Sequence, residues 1–116
     1  TINEQDMLEI GLAGNPKAAG LRLASLTHAA GLDVVVCSAQ EASLLKHSIG
    51  QAFCLVTPGI RPAMAALRDQ QRVMTPVAAL AAGSDYLVIG RPITHATDPL
   101  KALQDIHIEI SNEEKP

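Results

Sequence analysis

The segment YLVIGRPIT (residues 86–94) opens with four apolar residues and then sets glycine, arginine and proline side by side. Such a run has the length of a strand rather than a helix, and Gly90 ends it. Its apolarity is unbroken, where a strand with one wet face would alternate. That pattern is expected of a strand covered on both faces, as in parallel α/β sheets. Arg91 then follows a residue with no side chain. A glycine there lets backbone N–H groups approach an anion closely, and the guanidinium offers a planar fork of donors suited to phosphate.

Moving outward, the same strand–turn–helix pattern occurs twice upstream. LDVVVC (32–37) is followed by SAQE (38–41), an S-x-x-E capping box that predicts a helix through Leu44, Leu45 and Ile49, stopped by Gly50. AFCLVT (52–57) leads through a long loop to Thr75 as N-cap, Pro76 at the first helical position and Gly83 as the stop. Beyond residues 86–94, Asp98-Pro99 opens a closing helix with Leu103, Ile106 and Ile110 on one face. Ahead of everything, Asn15-Pro16 opens a helix with Ala19, Leu23, Leu26 and Ala30 at helical spacing, ended by Gly31.

Short apolar strands interleaved with helices predict a parallel α/β sheet, either open and doubly wound or closed as a (β/α)8 barrel. Three strands are too few for either, and they would leave two bare sheet edges. The expectation is therefore that residues 1–116 are the C-terminal portion of something larger, or that the rest lies outside them; a barrel of typical size, about 250 residues, would be missing roughly its first half.

Composition narrows the function. The 116 residues carry a net charge of −3, with 47% hydrophobic and 18% charged side chains. Basic residues are not clustered, and one Tyr, one Phe and no Trp leave little for bases to stack on, which argues against nucleic acid. No stretch approaches the roughly 20 apolar residues of a membrane span. A cytoplasmic protein is expected, with Cys37 and Cys54 as reduced thiols inside strand-like runs.

The chemistry falls in the loops after the second and third strands. The first begins TPGIRP (57–62) and runs to Met74, with Arg61, Arg68 and Arg72 making it basic in an acidic protein. A loop this long is commonly a lid or binding loop, and in barrels the last two such loops commonly form a phosphate site. The spacing suggests a phosphate gripped at Gly90 and Arg91 and covered from the preceding loop. The plainer alternative makes Gly90 a turn glycine, Arg91 a surface partner of Asp85 or Asp98, and the long loop a solvated linker. His28, His47, His95 and His107 lack metal spacing; only His95 follows a strand and could border the site. Ser38 reads as a cap, and Asp33 as structural.

The stretches GLDVVVCSAQEA, LVTPGIRP, DQQRVMTP and AGSDYLVIGRPIT, followed by DPLKAL, resemble the C-terminal half of bacterial orotidine 5'-phosphate decarboxylases over nearly the whole chain, from about Asp6 to Leu103. The resemblance implies a (β/α)8 barrel of the ribulose-phosphate-binding type, usually a homodimer. It implies conversion of orotidine 5'-phosphate to UMP and CO2 in pyrimidine biosynthesis, without metal or organic cofactor. It carries substrate binding onto Arg61, Gln70, Gly90 and Arg91. The family's D-x-K-x-x-D motif, which stabilises and protonates the carbanion, has no counterpart here, since none of Lys17, Lys46, Lys101 and Lys115 follows an aspartate by two. No catalytic residue is therefore assigned in this chain. A family threonine near the base would fall at or just before Thr1. The run Ala63-Met64-Ala65-Ala66-Leu67 is more apolar than the family's lid. The alternatives are a noncatalytic half-barrel or another phosphate-binding barrel, such as a pentulose-phosphate epimerase.

Overall fold

The computed structural model describes residues 2–62 and 74–114. In chain order the elements are α1 (Glu4–Glu9), α2 (Pro16–Ala29), β1 (Val34–Val36), a 3-10 turn (Ala39–Glu41), α3 (Ala42–Ile49), β2 (Cys54–Thr57), α4 (Pro76–Ala82), β3 (Tyr86–Leu87), α5 (Arg91–Thr94) and α6 (Pro99–Glu114). Most helix starts are where the polar residues place them. Asn15 accepts from the amide of Ala18 at 2.8 Å, Thr75 from Ala78 at 3.2 Å, and Asp98 from Lys101 at 3.1 Å, and each cap is followed by proline. Gly83 ends α4 with φ +116°, a left-handed conformation that glycine adopts without strain.

Two starts differ from expectation. Asn3 and Asp6 form a reciprocal capping box that begins α1, a helix the pattern of apolar residues did not reveal. At Ser38 the predicted capping box does not form. Ser38 Oγ accepts from Gln40 across the 3-10 turn, and α3 begins one turn later, behind Glu41, with no side-chain cap. The reason is the fate of Glu41. Its side chain is buried, with its carboxylate 3.8–4.0 Å from where a Cβ on Gly20 of α2 would sit, so it packs between helices instead of turning back to the cap.

The strands form one parallel sheet in the order β1-β2-β3, with Val34 opposite Cys54, Val56 opposite Tyr86 and Thr57 opposite Leu87. On one side of the sheet Leu55 and Thr57 are fully buried. Leu55 joins Ala24, Ala42, Leu45 and Phe53 in a core beneath α2 and α3, and a second cluster gathers Ala39, Ile60 and Ala79 near α4. The expectation of strands buried on both faces is not met within this chain. Val34, Val36, Tyr86 and Val88 are 47%, 65%, 65% and 49% exposed, all on the face away from the helices. An apolar run reports that both faces prefer cover, but not where the cover comes from. Likewise the stripe expected on α2 is only partly buried. Ala19 and Ala24 are buried, Ala24 within the core cluster that includes Ala42 and Leu45 of α3, while Leu23 and Leu26 are exposed. β3 also stops pairing at Leu87, two residues before the apolar run ends.

At the N-terminal ends of the strands sits a buried cation. Lys46 of α3 is 6% exposed, and its Nζ donates to the carbonyls of Gln51 and Phe53 at 2.8 Å each and to Asp85 Oδ2 at 2.7 Å, using all three donors. The same carboxylate oxygen accepts from Leu55 N–H at 2.8 Å, and Asp85 N–H donates to the Leu55 carbonyl at 2.9 Å. A buried ammonium is tolerable only when satisfied in this way. A Cβ on Gly83 would come within 3.0 Å of Lys46 Cγ, so the glycine also makes room for the lysine stem.

Asp85→Asn should lower unfolding free energy at pH 7 by about 1.5–3 kcal/mol, the worth of hydrogen bonds to a charged group. The hydrogen bond from Lys46, opposed by burial and aided by the Leu55 amide, holds the Asp85 carboxyl below its ordinary value of 3.8. Its contribution is thus complete above that value and lost as pH falls through the lowered folded value. Urea titrations from pH 7 to pH 3 should show a steeper acid loss in the wild-type chain than in Asp85→Asn. Parallel curves would contradict the assignment.

Candidate functional site

At the opposite, C-terminal ends of β2 and β3 two loops enclose a cavity of about 140 Å³, lined by residues 58–61 on one side and by Val88, Gly90, Arg91 and Pro92 on the other. At about 30 Å³ per water, that volume suits a small oxyanion. It is below the roughly 300–1,000 Å³ of pockets that hold whole drug-sized ligands.

The first wall is built from the backbone. Gly59 turns with φ +74°, which the Pro-Gly pair supplies. Arg61 N–H donates to the Met74 carbonyl at 3.0 Å, Met74 N–H donates to Gly59 at 3.3 Å, and Ile60 pairs with Met74 as a parallel bridge. Ile60, 2% exposed, is anchored between Ala39 and Ala79. This anchoring leaves Arg61 at the cavity with only 7% of its surface exposed, and its Nε is buried without a hydrogen-bond partner. Burying a cationic donor unpaired costs several kcal/mol. An acceptor from outside the described residues would complete the arrangement.

The second wall follows from the first. Thr57 at the end of β2 accepts from Val88 N–H at 2.9 Å, which carries the chain of β3 alongside before it turns. Gly90 then begins the helical turn α5, its carbonyl accepting from Ile93 at 2.9 Å and Thr94 at 3.0 Å. The carbonyl is thereby drawn into the turn. A Cβ on Gly90 would meet nothing within 4 Å, so the space over its backbone is open. Among the described lining residues, Arg61 and Arg91 are the only ionisable ones. The cavity can hold an anion, and its described lining residues offer no acid–base pair to break a bond.

Three of the four sequence-assigned residues, Arg61, Gly90 and Arg91, thus meet on one cavity. Gln70 lies outside the described residues, as do Arg68, Arg72 and the Ala63 to Leu67 run. The surface pairing of Arg91 with Asp85 fails, since that carboxylate is engaged by Lys46 at the other end of the strand. Asp98 Oδ1 caps α6. His95 ends α5, exposed, and does not line the cavity. Burial, with Glu41 nearby, pushes the Cys37 thiol up to about 11, so it is protonated at neutral pH and unsuited to nucleophilic chemistry. Among the described residues no three His, Cys, Asp or Glu side chains gather as a metal site, and no helix is long and apolar enough to cross a membrane. The roles of Gly59 and Ile60 were not assigned from sequence; the Pro-Gly turn signal was there for the first, but the bridge to Met74 is a tertiary contact.

Comparison with known proteins gives a consistent result. The sequence model described as the orotidine 5'-phosphate decarboxylase / HUMPS family matches residues 1–106. The orotidine 5'-phosphate decarboxylase of Hydrogenovibrio crunogenus is 60% identical over 95% of the chain and 47% of its own length. That of Chromobacterium violaceum is 61% identical over 96% of the chain and 45% of its own. The crystal structure of orotidine 5'-phosphate decarboxylase from Lactobacillus acidophilus superposes with a TM-score of 0.74 at 38% identity, covering 90% of this chain and 43% of that one. The chain spans about half the length of the curated relatives it matches.

If Arg61 is kept for an anion and not for the fold, Arg61→Met should unfold in phosphate-free buffer within about 1 kcal/mol of wild type, or above it. Added phosphate should raise the melting temperature of the wild-type chain only. A loss exceeding about 2 kcal/mol in Arg61→Met would instead mark a structural cation.

Proposed function

The chain belongs to the orotidine 5'-phosphate decarboxylase / HUMPS family, and on that premise we propose that it is the phosphate-gripping portion of an orotidine 5'-phosphate decarboxylase, which converts orotidine 5'-phosphate to UMP and CO2. The observation that carries this reading is the buried Arg61 guanidinium, its Nε unpartnered, across a small cavity from the open backbone of Gly90. In this reading residues 1–116 form the C-terminal portion of one (β/α)8 domain, and the bond-breaking Asp/Lys array belongs to the other half. Arg61 and Arg91 hold the substrate's phosphate, and Gln70 adds an amide contact. The family resemblance further supports a cytoplasmic homodimer working without metal or organic cofactor.

Mechanistically, the chain's contribution is to bind and orient. Two guanidiniums at one cavity attract a dianion together, and the burial of Arg61 screens its charge less than full exposure to water would. Holding the phosphate fixes the far end of the nucleotide. Binding energy gained at this non-reacting group can then be used to seat the pyrimidine against the catalytic groups and exclude water. A noncatalytic, phosphate-binding half-barrel remains the second reading, favoured by the absence of any acid–base side chain among the described lining residues.

The two readings separate in a chimera that carries residues 1–116 in place of the equivalent segment of the Chromobacterium violaceum relative. The proposal expects decarboxylation of orotidine 5'-phosphate, a fall of about 100-fold in kcat/KM for Arg91→Ala, equivalent to ~2.7 kcal/mol, and a smaller fall for Gln70→Ala. UMP binding without turnover would favour the noncatalytic reading. An unchanged kcat/KM for Arg91→Ala would remove the phosphate grip.

A further inference from the structure

We infer that the buried hydroxyl pair of Thr57 and Ser84 is a positioning device that sets the spacing of the two walls of the anion cavity; the inference rests on the phosphate-binding reading above. Thr57 is fully buried and Ser84 is 6% exposed, and Thr57 Oγ1 donates to Ser84 Oγ at 3.0 Å. Thr57 stands at a junction. The residue after it, Pro58, begins the first wall, and the Thr57 carbonyl accepts from Val88 N–H of the second wall at 2.9 Å. Its side chain reaches away from both, to a serine whose amide is fixed to the Ala79 carbonyl at 3.0 Å at the end of α4.

A strand position does not by itself demand this hydroxyl. Valine has the same shape and an equal liking for strands, and it would bury no polar atom. What the hydroxyl adds is direction, because it is satisfied only while Thr57 keeps its height relative to Ser84. Ser84 adjoins Asp85, which binds the Leu55 amide one layer lower on the same face of β2. Consecutive residues thus hold Leu55 and Thr57 at two levels, and the upper hold is one residue from Pro58 of the cavity wall. Small displacements of such a residue can change binding far more than they change stability.

The test separates positioning from stability. Removing one hydroxyl strands the other, whereas removing both in Thr57→Val/Ser84→Ala leaves no unsatisfied polar group. Affinity of the full 116-residue chain for inorganic phosphate is read from NMR shift titrations, beside thermal melts. The double variant should melt within about 3 °C of wild type and bind phosphate roughly tenfold more weakly. Thr57→Ser, which keeps the hydroxyl, should retain wild-type affinity. Wild-type affinity in the double variant, or equal losses in Thr57→Ser and Thr57→Val, would overturn the inference. Arg91→Ala serves as the control. If it weakens phosphate binding while the double variant does not, only the positioning role is lost; if neither weakens binding, the phosphate reading itself falls.

Discussion

The arrangement depends on a charge buried far from the cavity. Lys46 is buried, and its ammonium is tolerated only because two carbonyls and the Asp85 carboxylate accept its three hydrogen bonds. Asp85 in turn binds the backbone of Leu55 through both its carboxylate and its amide. That closes the start of β3 onto β2 in a single register, Val56 opposite Tyr86. A parallel pair slipped by one residue would leave the ammonium without its carboxylate and turn every side chain to the other face. The ion pair is thus a weak source of net stability and a strong constraint on register, the role best attested for buried charges.

Register at one end determines geometry at the other. Because Thr57 lies opposite Leu87, the chain leaves both strands at the same height, and residues 58–61 face Val88, Gly90, Arg91 and Pro92 across one cavity. The N-terminal face spends its polar groups on one another. The C-terminal face leaves the Arg61 Nε unpaired and the backbone of Gly90 uncovered. Such a division, with stability at one rim and binding at the other, is the general habit of parallel α/β barrels. A buried guanidinium Nε–H without a partner is a local loss that a bound anion can recover.

Much of this was legible in the sequence where the cause was local. The Asn15, Thr75 and Asp98 caps, the glycine stops and the parallel strands follow from side chains acting on their own neighbourhood. Gly90 and Arg91 were singled out because a glycine and an arginine at a strand end suit an anion, a turn glycine and a surface arginine being the plainer alternative, and Arg61 because the motif around it resembles a known family. What failed was non-local. Ser38 and Glu41 have the spacing of a capping box, but Glu41 is buried against α2. Leu23 and Leu26 have core spacing on α2, yet alanines face α3. Lys46 looked like one more helical lysine, since nothing within a helical turn announces that Asp85, 39 residues on, will meet it. The exposure of the sheet face away from the helices was likewise invisible to a rule that reads composition and not neighbours.

The most direct test of this account is the resonance of the Arg61 side-chain Nε–H group during titration with UMP. The account predicts a saturable downfield shift of the Arg61 Hε proton as the orphaned donor gains a phosphate oxygen, with the shift following the same binding curve as the Gly90 amide. An Arg61 Nε–H resonance that stays in place while UMP saturates the protein elsewhere would contradict it.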